Sequence, residues 1–439
     1  MLDLPMNFLR TIFKPLAHVP KYTEHEETIS SVDNPDTVVI PLEYPGQIYY
    51  KSLVQEGDVV RRNQIIGRSE LGNCVHASIS GVVKEIKPVW TARSFTVPAV
   101  VIESNKEPAL TVDEMFESYG VPFKSASQVE KLKASGVISP WTTPGKFHHE
   151  EEMDGFPEVK QIIIKGASEE PTVFAFELLL QDKVEKILQG IRKLNNIAPN
   201  ATIWLTTPKR LAEWASEEFG ESVQVVAVSD EYKHRIERLL VRNLTGVDIP
   251  NTMSYRKMGV AVLSVEYLLA MVDALDGKGP FTSKYMTVAG NRLSKAVTVK
   301  VPIGTPIRTV LESQGLADET YARLLVGGPM KGIAQYSDET PLTKSSHGLY
   351  LMSRDALPDE VNLTCMNCGR CTRTCPINLQ VHLISRYVEH NLLKEAKQFH
   401  PEVCNECGLC AYVCPAHRPL VQLIYMCNQY KEQIDEPKE

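Results

Sequence analysis

The fold is decided by a stretch that begins Cys365-Met-Asn-Cys368-Gly-Arg-Cys371-Thr-Arg-Thr-Cys375-Pro376. The same spacing returns as Cys404-Asn-Glu-Cys407-Gly-Leu-Cys410-Ala-Tyr-Val-Cys414-Pro415. Eight of the ten cysteines of the chain lie in these two copies. Both follow C-x2-C-x2-C-x3-C-P, a spacing typical of ligands to 4Fe-4S clusters.

Three cysteines on one tight loop can bind three corners of a 4Fe-4S cubane, and the fourth, carried away by the start of a helix, binds the other cluster. We therefore predict two ligand sets that exchange their fourth member: Cys365, Cys368, Cys371 and Cys414 for the first cluster, and Cys404, Cys407, Cys410 and Cys375 for the second. Residues 379–399, between the motifs, repeat apolar positions with a nearly helical period. The stretch is interpreted as a helical electron relay, not a catalyst by itself.

Zinc and disulfides are the competing interpretations of these cysteines. Zinc prefers paired C-x2-C knuckles with four ligands per ion, and this spacing supplies a third cysteine and a Cys-Pro pair in each copy. Disulfides are typical of small secreted domains in oxidising compartments, and this chain of 439 residues is not small. Cys74 and Cys427 fit neither copy, and buried free thiols are common.

Composition sets broad limits. A length of 439 residues is enough for about three or four domains. The net charge of −7 argues against a nucleic-acid partner, which requires a basic surface. No apolar run reaches the length of about 18 residues that a membrane helix needs. With no cleavable leader visible and many free thiols, we expect a cytoplasmic location, peripheral on the cytoplasmic face of the inner membrane.

Four further segments precede the cysteine motifs. Residues 1–20 are rich in apolar side chains, with Arg10 and Lys14 among them. The segment 1–37 is predicted either to dock on a membrane protein or bilayer or to form a helix packed on its own domain. Residues 38–104 show short apolar alternations at 38–42, 53–60, 64–67 and 76–86, separated by turn glycines, which predict a small all-β domain. Its phrases resemble the barrel-sandwich fold of biotinyl and lipoyl domains. No lysine lies between residues 61 and 83, so a docking or structural role is favoured over a covalent carrier.

Residues 105–290 alternate strand-like runs with helical ones, which predicts a Rossmann-like parallel α/β sheet. Residues 291–355 give a strand, a helix and a strand ending in glycines, which suits a small β-grasp domain. Residues 356–430 hold the cysteine motifs. The predicted fold class is therefore a multidomain α/β protein with a helical, ferredoxin-type domain at the end.

The ordered phrases GDVVRRNQIIG at 57–67, VPIGTP at 301–306 and VGGPMKG at 326–332, followed by the double cysteine motif, carry a family resemblance. From about residue 16 to about residue 425, the chain resembles the RnfC family of the Rnf electron transport complex, a ferredoxin:NAD oxidoreductase. The resemblance implies a barrel sandwich, an α/β domain that binds flavin and NADH as in the flavoprotein of respiratory complex I, an SLBB-like β-grasp domain and a helical domain with two 4Fe-4S clusters. It also implies a protein that sits on the membrane part of a complex.

Three elements depart from that family. Its glycine-rich flavin loop, G-x-G-G-x-G-F-P, is replaced by residues 135–147, where Trp141 and Pro144 would occupy space that FMN needs. Its N-G-A-E-x-E-P motif reads Lys165-Gly-Ala-Ser-Glu-Glu-Pro171, which keeps Gly166 and Glu170, and its N-V-x-T motif reads Ser264-Val-Glu-Tyr267. The phrase SPWTTPGKFHH at 139–149 also resembles the NqrA component of the sodium-pumping NADH:quinone oxidoreductase. FMN binding is therefore doubtful, and Gly166 and Glu170 are predicted as remnants of an FMN/NADH pocket, although Glu170 could equally be a surface carboxylate.

Arg370 and Arg373 lie beside Cys371 and are interpreted as docking charges for a redox partner, or as charges that tune a cluster potential. His148 and His149 precede three glutamates and suit a solvated loop better than a metal site. The main hypothesis is an iron–sulfur electron-transfer component of a membrane-associated, Rnf-like complex, partnered by membrane or soluble redox subunits such as a ferredoxin or flavoprotein. The rival hypothesis keeps NADH oxidation on FMN in this chain. A third treats the α/β domain as a docking scaffold only.

Overall fold

The computed structural model describes residues 25–32, 35–44, 48–92, 96–137, 158–247, 255–317, 320–357 and 364–429. Trp141, Pro144, His148 and His149 lie outside these ranges, as does the sequence before residue 25. The interpretations placed on them therefore remain predictions.

Short strands form the first unit, as the alternating pattern predicted. A four-stranded sheet runs in the order Thr37–Pro41, Thr96–Ser104, Gly81–Trp90 and Val59–Val60. A three-stranded sheet contains Lys51–Ser52, Ile65–Arg68 and Cys74–His76, and a two-stranded ladder joins Glu43–Tyr44 to Ile48–Tyr49. The inward side chains of these sheets form one apolar cluster, which includes Val38, Ile40, Ile66, Val100 and Ile102.

Two predicted strands of this unit were wrong in extent. The predicted strand at 53–60 is reduced to Val59–Val60, because Gly57 adopts a φ of 89° and turns the chain. The predicted strand at 76–86 is split into Cys74–His76 and Gly81–Trp90. Gly81 has to be glycine, since a Cβ there would lie 1.9 Å from the carbonyl oxygen of Glu103. Two helices, Val112–Tyr119 and Gln128–Ala134, follow the sheets, and each begins with a capping box.

A four-stranded parallel sheet forms the next unit, in the order Gln224–Val228, Thr202–Pro208, Gln161–Lys165 and Val260–Ser264. The central strand is apolar on both faces because helices cover both sides, and Ile162, Ile163 and Ile164 are fully buried. The helices are Ala175–Asp182, Val184–Ile197, Ala212–Phe219, Tyr232–Arg235, Glu237–Thr245 and Val265–Asp276. The carboxyl ends of all four strands therefore meet at one edge.

A mixed six-stranded sheet forms the third unit, with the helix Ile307–Ser313 packed on it through Ile307, Val310 and Leu311. Its strand order is His25–Ser31, Ala296–Pro302, Ser283–Gly290, Gly348–Met352, Arg323–Val326 and Ile333–Gln335. The edge strand His25–Ser31 falls in the segment predicted for docking, and Ser283–Gly290 falls before the predicted boundary at residue 291. The six strands of this sheet thus come from three segments that were predicted to be separate, residues 1–37, 105–290 and 291–355.

The last unit is helical. Its helices are Arg370–Thr374, Val381–Glu389, Leu393–Lys397, Leu409–Tyr412 and Leu420–Gln429, with a 3-10 turn at Pro401–Val403. The two helices between the motifs are separated by Asn391, which has a φ of 61°. The longer helices meet in an apolar core that includes Val381, Ile384, Leu420 and Ile424. No helix in the described ranges is both long and apolar enough to cross a membrane.

Candidate iron–sulfur site

The two cysteine motifs share one backbone conformation. Residues with positive φ fall at equivalent positions of the two copies: Asn367 and Glu406, Gly369 and Gly408, and Asn378 and His417. The first two of these pairs turn the chain between successive cysteines, so that several sulfurs of one loop can face the same space, and the third pair follows the fourth cysteine. A short helix follows in each copy and moves the fourth cysteine away from its own loop.

The first cavity lies inside the loop of the first motif. Its lining includes Cys365, Cys368 and Cys371, together with Cys414 from the second motif. The second cavity is lined by Cys404, Cys407 and Cys410, together with Cys375 from the first motif. The structure thus brings the eight cysteines together in the same two sets of four that the spacing predicts. The two spaces are also of similar size, about 380 and 330 Å³ including their open mouths.

The donor set is suited to metal. Burial raises the pKa of Cys404 to about 12 and the pKa of Cys410 well above its ordinary value, and the neighbouring sulfurs add to both shifts. Buried thiols that lie together cannot all ionise without compensating positive charge. Metal ions supply that charge and deprotonate coordinating thiols. The cavities therefore fit a cofactor that brings its own cations.

In each set, the four cysteines line one cavity. Across the described ranges, no three histidine, cysteine, aspartate or glutamate side chains are grouped as the ligands of one metal ion would be. A tetrahedral zinc site requires four donors within about 2.3 Å of one point. Sulfurs around a larger space suit a cubane with four irons at separate corners.

The second motif packs on both neighbouring units. The hydroxyl of Tyr232, from the parallel-sheet unit, donates a hydrogen bond of 2.9 Å to the carbonyl oxygen of Cys407. Gly408 lies against the carbonyl oxygen of Met330, from the mixed-sheet unit, and a Cβ at Gly408 would lie 2.3 Å from that oxygen. Tyr232, Met330 and Cys407 belong to one buried apolar cluster. The second cavity is thereby fixed relative to both sheets.

Glu170, one of the predicted pocket remnants, supports this junction. Its carboxylate accepts hydrogen bonds from the backbone N–H groups of Met330, at 3.1 Å, and Lys331, at 2.5 Å. Burial raises its pKa to about 7, although these two hydrogen bonds act in the opposite direction. The carboxylate connects the Lys165-to-Pro171 segment to the turn that touches Gly408.

Gly166, the other predicted remnant, has a packing role. A Cβ at Gly166 would lie 2.4 Å from a methyl group of Leu180 and 2.6 Å from the carbonyl oxygen of Thr206. Glycine is therefore required for the helix Ala175–Asp182 to approach the central strand. Binding of a cofactor by Gly166 and Glu170 remains a prediction.

Charged side chains occupy the edge where parallel sheets bind ligands. Arg235 is 4% exposed and donates to the carbonyl oxygens of Ser168, at 3.2 Å, and Ser229, at 3.1 Å. It also lies 3.5 Å from the carboxylate of the buried Glu177, which accepts a hydrogen bond from Arg210 at 2.5 Å. Burial raises the pKa of Glu177, while the two arginines lower it. This network joins the residues after three of the four strands.

One side chain at the first cavity was missed by the sequence analysis. Arg418 is 3% exposed, lines the cavity with Cys365, donates to the hydroxyl of Ser385 at 3.1 Å and forms an ion pair with Glu389. Burial opposes its charge, yet the neighbouring Glu389 and Cys365 keep its pKa above the ordinary value. The available signal was a basic residue three positions after Pro415. Its acidic partner, Glu389, is too distant in the sequence to be recognised.

Comparisons with known proteins agree with this geometry. A family model described as the RnfC barrel sandwich hybrid domain matches residues 15–107, and one described as a 4Fe-4S dicluster domain matches residues 364–417. The C subunit of the proton-translocating ferredoxin:NAD(+) oxidoreductase complex of Clostridium ljungdahlii is 28% identical over 86% of this chain and 84% of its own length. The chain is a homologue of RnfC. The family resemblance and the barrel sandwich are confirmed, and the last domain is of an iron–sulfur type.

Other relatives extend the comparison. The C subunit of the Na(+)-translocating ferredoxin:NAD(+) oxidoreductase complex of Acetobacterium woodii is 26% identical over 88% of this chain and 89% of its own. The C subunit of the ion-translocating oxidoreductase complex of Pseudomonas aeruginosa is 30% identical over 77% of this chain but 45% of its own. A solved NAD+-reducing nickel–iron hydrogenase overlaps 55% of this chain and 47% of its own at a TM-score of 0.34 and 19% identity, which is too low to support a conclusion.

Proposed function

We propose that the chain is the iron–sulfur electron-transfer component of a membrane-associated, Rnf-like oxidoreductase complex. It would hold one 4Fe-4S cluster on Cys365, Cys368, Cys371 and Cys414, and a second on Cys404, Cys407, Cys410 and Cys375. The observation that carries this proposal is the pair of neighbouring cavities, each lined by three cysteines of one motif and the fourth of the other. The relatives from Clostridium ljungdahlii and Acetobacterium woodii, named as parts of ferredoxin:NAD(+) oxidoreductase complexes, support the same role.

The residues of this chain would position the clusters and control their surroundings. When bound, such clusters accept and release single electrons. Leu379, Val381, Val421 and Ile424 line the second cavity and exclude water from it. Tyr232 and Met330 fix the same cavity against the two sheets. The exchange of the fourth ligand keeps the two cavities adjacent, which suits electron transfer between them.

We also infer the finer fold assignments. The parallel sheet is interpreted as a Rossmann-like domain similar to the flavoprotein of complex I, and the mixed sheet with its helix as an SLBB-like β-grasp domain. The partners would be the other subunits of an Rnf-type complex, including membrane subunits and a ferredoxin or flavoprotein. The proposed location is peripheral, on the cytoplasmic face of the inner membrane, since the relatives are named for ion translocation.

The exchange of ligands gives a direct experiment. Cys414→Ser and Cys375→Ser each remove a fourth ligand, and the affected cluster should be the one bound by the opposite motif. The measurement is electron paramagnetic resonance of the anaerobically purified, dithionite-reduced chain. Each variant should lose or alter one of two signals, and Cys414→Ser should affect the same signal as Cys365→Ser. If Cys414→Ser instead affects the signal altered by Cys404→Ser, the proposed ligand sets are wrong.

The FMN/NADH site is proposed to be degenerate. Three observations support this: the carboxylate of Glu170 is engaged by backbone N–H groups, Gly166 is explained by packing, and the buried Arg235 and Glu177 lie at the sheet edge. The rival function, NADH oxidation on FMN in this chain, is favoured by the retained Gly166 and Glu170. Acid release of flavin and its fluorescence separate the two, because stoichiometric flavin would establish the rival function. A scaffold role predicts a tight complex with another redox protein and no flavin.

A further inference from the structure

The two cavities differ in charge. Besides its cysteines, the first cavity is lined by three cationic or titratable side chains: Arg370, His382 and Arg418. The second is lined mainly by aliphatic side chains, with Asn405 as its polar member apart from the cysteines. Backbone N–H groups reach sulfurs in both sets, for example from Thr372 and Glu406. Lys331 and Glu169 act on Cys407 with opposite signs, so the charged side chains of the lining remain the main difference between the two cavities.

Arg418 is the best placed of these cations. Its side chain is 2% exposed, its guanidinium donates a hydrogen bond to the hydroxyl of Ser385, and it lines the first cavity together with Cys365. A guanidinium remains protonated in proteins. Its counter-ion Glu389 has a side chain that is 33% exposed, so solvent screens the carboxylate more than the arginine. A net positive field therefore acts on the first cavity.

A 4Fe-4S cluster bound by four thiolates gains negative charge when it is reduced. Net charge, hydrogen bonds to the sulfurs and solvent exposure are the properties that set its reduction potential. A buried cation in the lining of the cavity favours the reduced state. Exposure acts in the same direction, because Met366 at the first cavity is 51% exposed, whereas Cys407 and Cys410 of the second are buried.

We propose that Arg418 raises the reduction potential of the cluster held by the Cys365 set, which makes that cluster the more easily reduced of the two. This inference rests on the proposed function, because it requires both clusters. Electrons would then move favourably from the cavity fixed against the two sheets to the more exposed cavity of the first motif.

The test is a redox titration of the full chain, purified anaerobically and followed by electron paramagnetic resonance. The step that changes or disappears in Cys365→Ser identifies the cluster of the first cavity. Arg418→Gln should then lower the equilibrium constant for one-electron reduction of that cluster about tenfold or more. Each tenfold change lowers the reduction potential by ~59 mV. The other step should move much less. Arg418→Lys retains a cation and should recover most of the loss.

Two further variants keep the test decisive. Arg373→Gln removes an exposed cation of the first motif and should shift neither step appreciably. Glu389→Gln removes the counter-ion and should shift the first cluster in the opposite direction, upward. If Arg418→Gln does not bind the cluster of the first cavity, the direction of the potential shift in Glu389→Gln tests the inference by itself. This inference would be overturned if Arg418→Gln binds two resolved clusters whose potentials are unchanged or shift equally, and the proposed function would then remain intact. A chain without clusters would overturn the proposed function.

Discussion

The contact between Gly408 and Met330 leads to a prediction that uses the internal repeat. Gly369 and Gly408 occupy equivalent positions of the two motifs, with φ angles of 69° and 78°. Alanine at either position has to adopt a left-handed conformation, which costs about 1–2 kcal/mol. At Gly369 the nearest atom to the added Cβ is the flexible Nη1 of Arg373, at 3.0 Å. Gly369→Ala should therefore cost little more than the backbone term.

Gly408→Ala has an additional cost, since its Cβ would lie 2.3 Å from the carbonyl oxygen of Met330. The backbone of Met330 has to move, and the carboxylate of Glu170 accepts a hydrogen bond from the N–H of the same residue. Leaving a buried polar group unsatisfied costs about 1–3 kcal/mol. We therefore expect Gly408→Ala to be more destabilising than Gly369→Ala by roughly that amount, and to lose its clusters faster in urea.

The assay is urea unfolding of the anaerobic, cluster-loaded chain, followed by the visible absorbance of the clusters. This absorbance reports the helical unit alone. Because loss of the clusters is irreversible, the two variants are compared by their rates of loss at one urea concentration. Equal rates for Gly369→Ala and Gly408→Ala would refute the reasoning that the second motif depends on its contact with Met330.

Three other predictions concern the sheets and their junctions. The pKa of Glu170 is raised to about 7 from the ordinary value of 4.5, so the folded chain retains a proton that the unfolded chain releases, and stability falls by at most about 3 kcal/mol as pH rises between these values. Glu170→Gln should reduce this loss of stability in urea titrations at pH 5.5 and 8, and an unchanged pH dependence would contradict the prediction. Tyr232→Phe should lower the free energy of unfolding by about 1 kcal/mol. The side chain of Tyr336 is 78% exposed, so the control variant Tyr336→Phe should change that free energy by less than about 0.5 kcal/mol. Similar losses in the two variants would show that the buried hydroxyl of Tyr232 contributes nothing specific. Lys284→Met leaves the carboxylate of Glu266 buried without its partner at 2.7 Å and should lower the free energy of unfolding by about 3–5 kcal/mol. Adding Glu266→Gln should restore part of that stability in thermal unfolding, and no recovery would argue against the pairing.

Local patterns were sufficient to predict much of the fold. The parallel sheet of residues 161–264 follows from the predicted alternation of strand-like and helical runs, because each of its four strands is an apolar run followed by a helical segment. The grouping of the eight cysteines also follows from spacing, since the repeated positive-φ positions depend on residues within each motif. These features are set by interactions close in sequence.

Features that depend on distant residues were not predictable in the same way. The strand His25–Ser31 pairs with Ala296–Pro302, and nothing in its own composition identifies that partner. The role of Glu170 at the junction depends on backbone N–H groups at Met330 and Lys331, which carry no side-chain signature. Arg418 was missed because its buried position results from the packing of helices. Sequence reasoning therefore grouped the eight cysteines but did not identify the side chains around them.

The most direct test of the account is analysis of iron, acid-labile sulfide and zinc in the full chain purified without oxygen. Two 4Fe-4S clusters predict about eight iron and about eight sulfide per chain, with little zinc. A chain with about two zinc ions and no sulfide would contradict the central claim that the eight cysteines hold two iron–sulfur clusters.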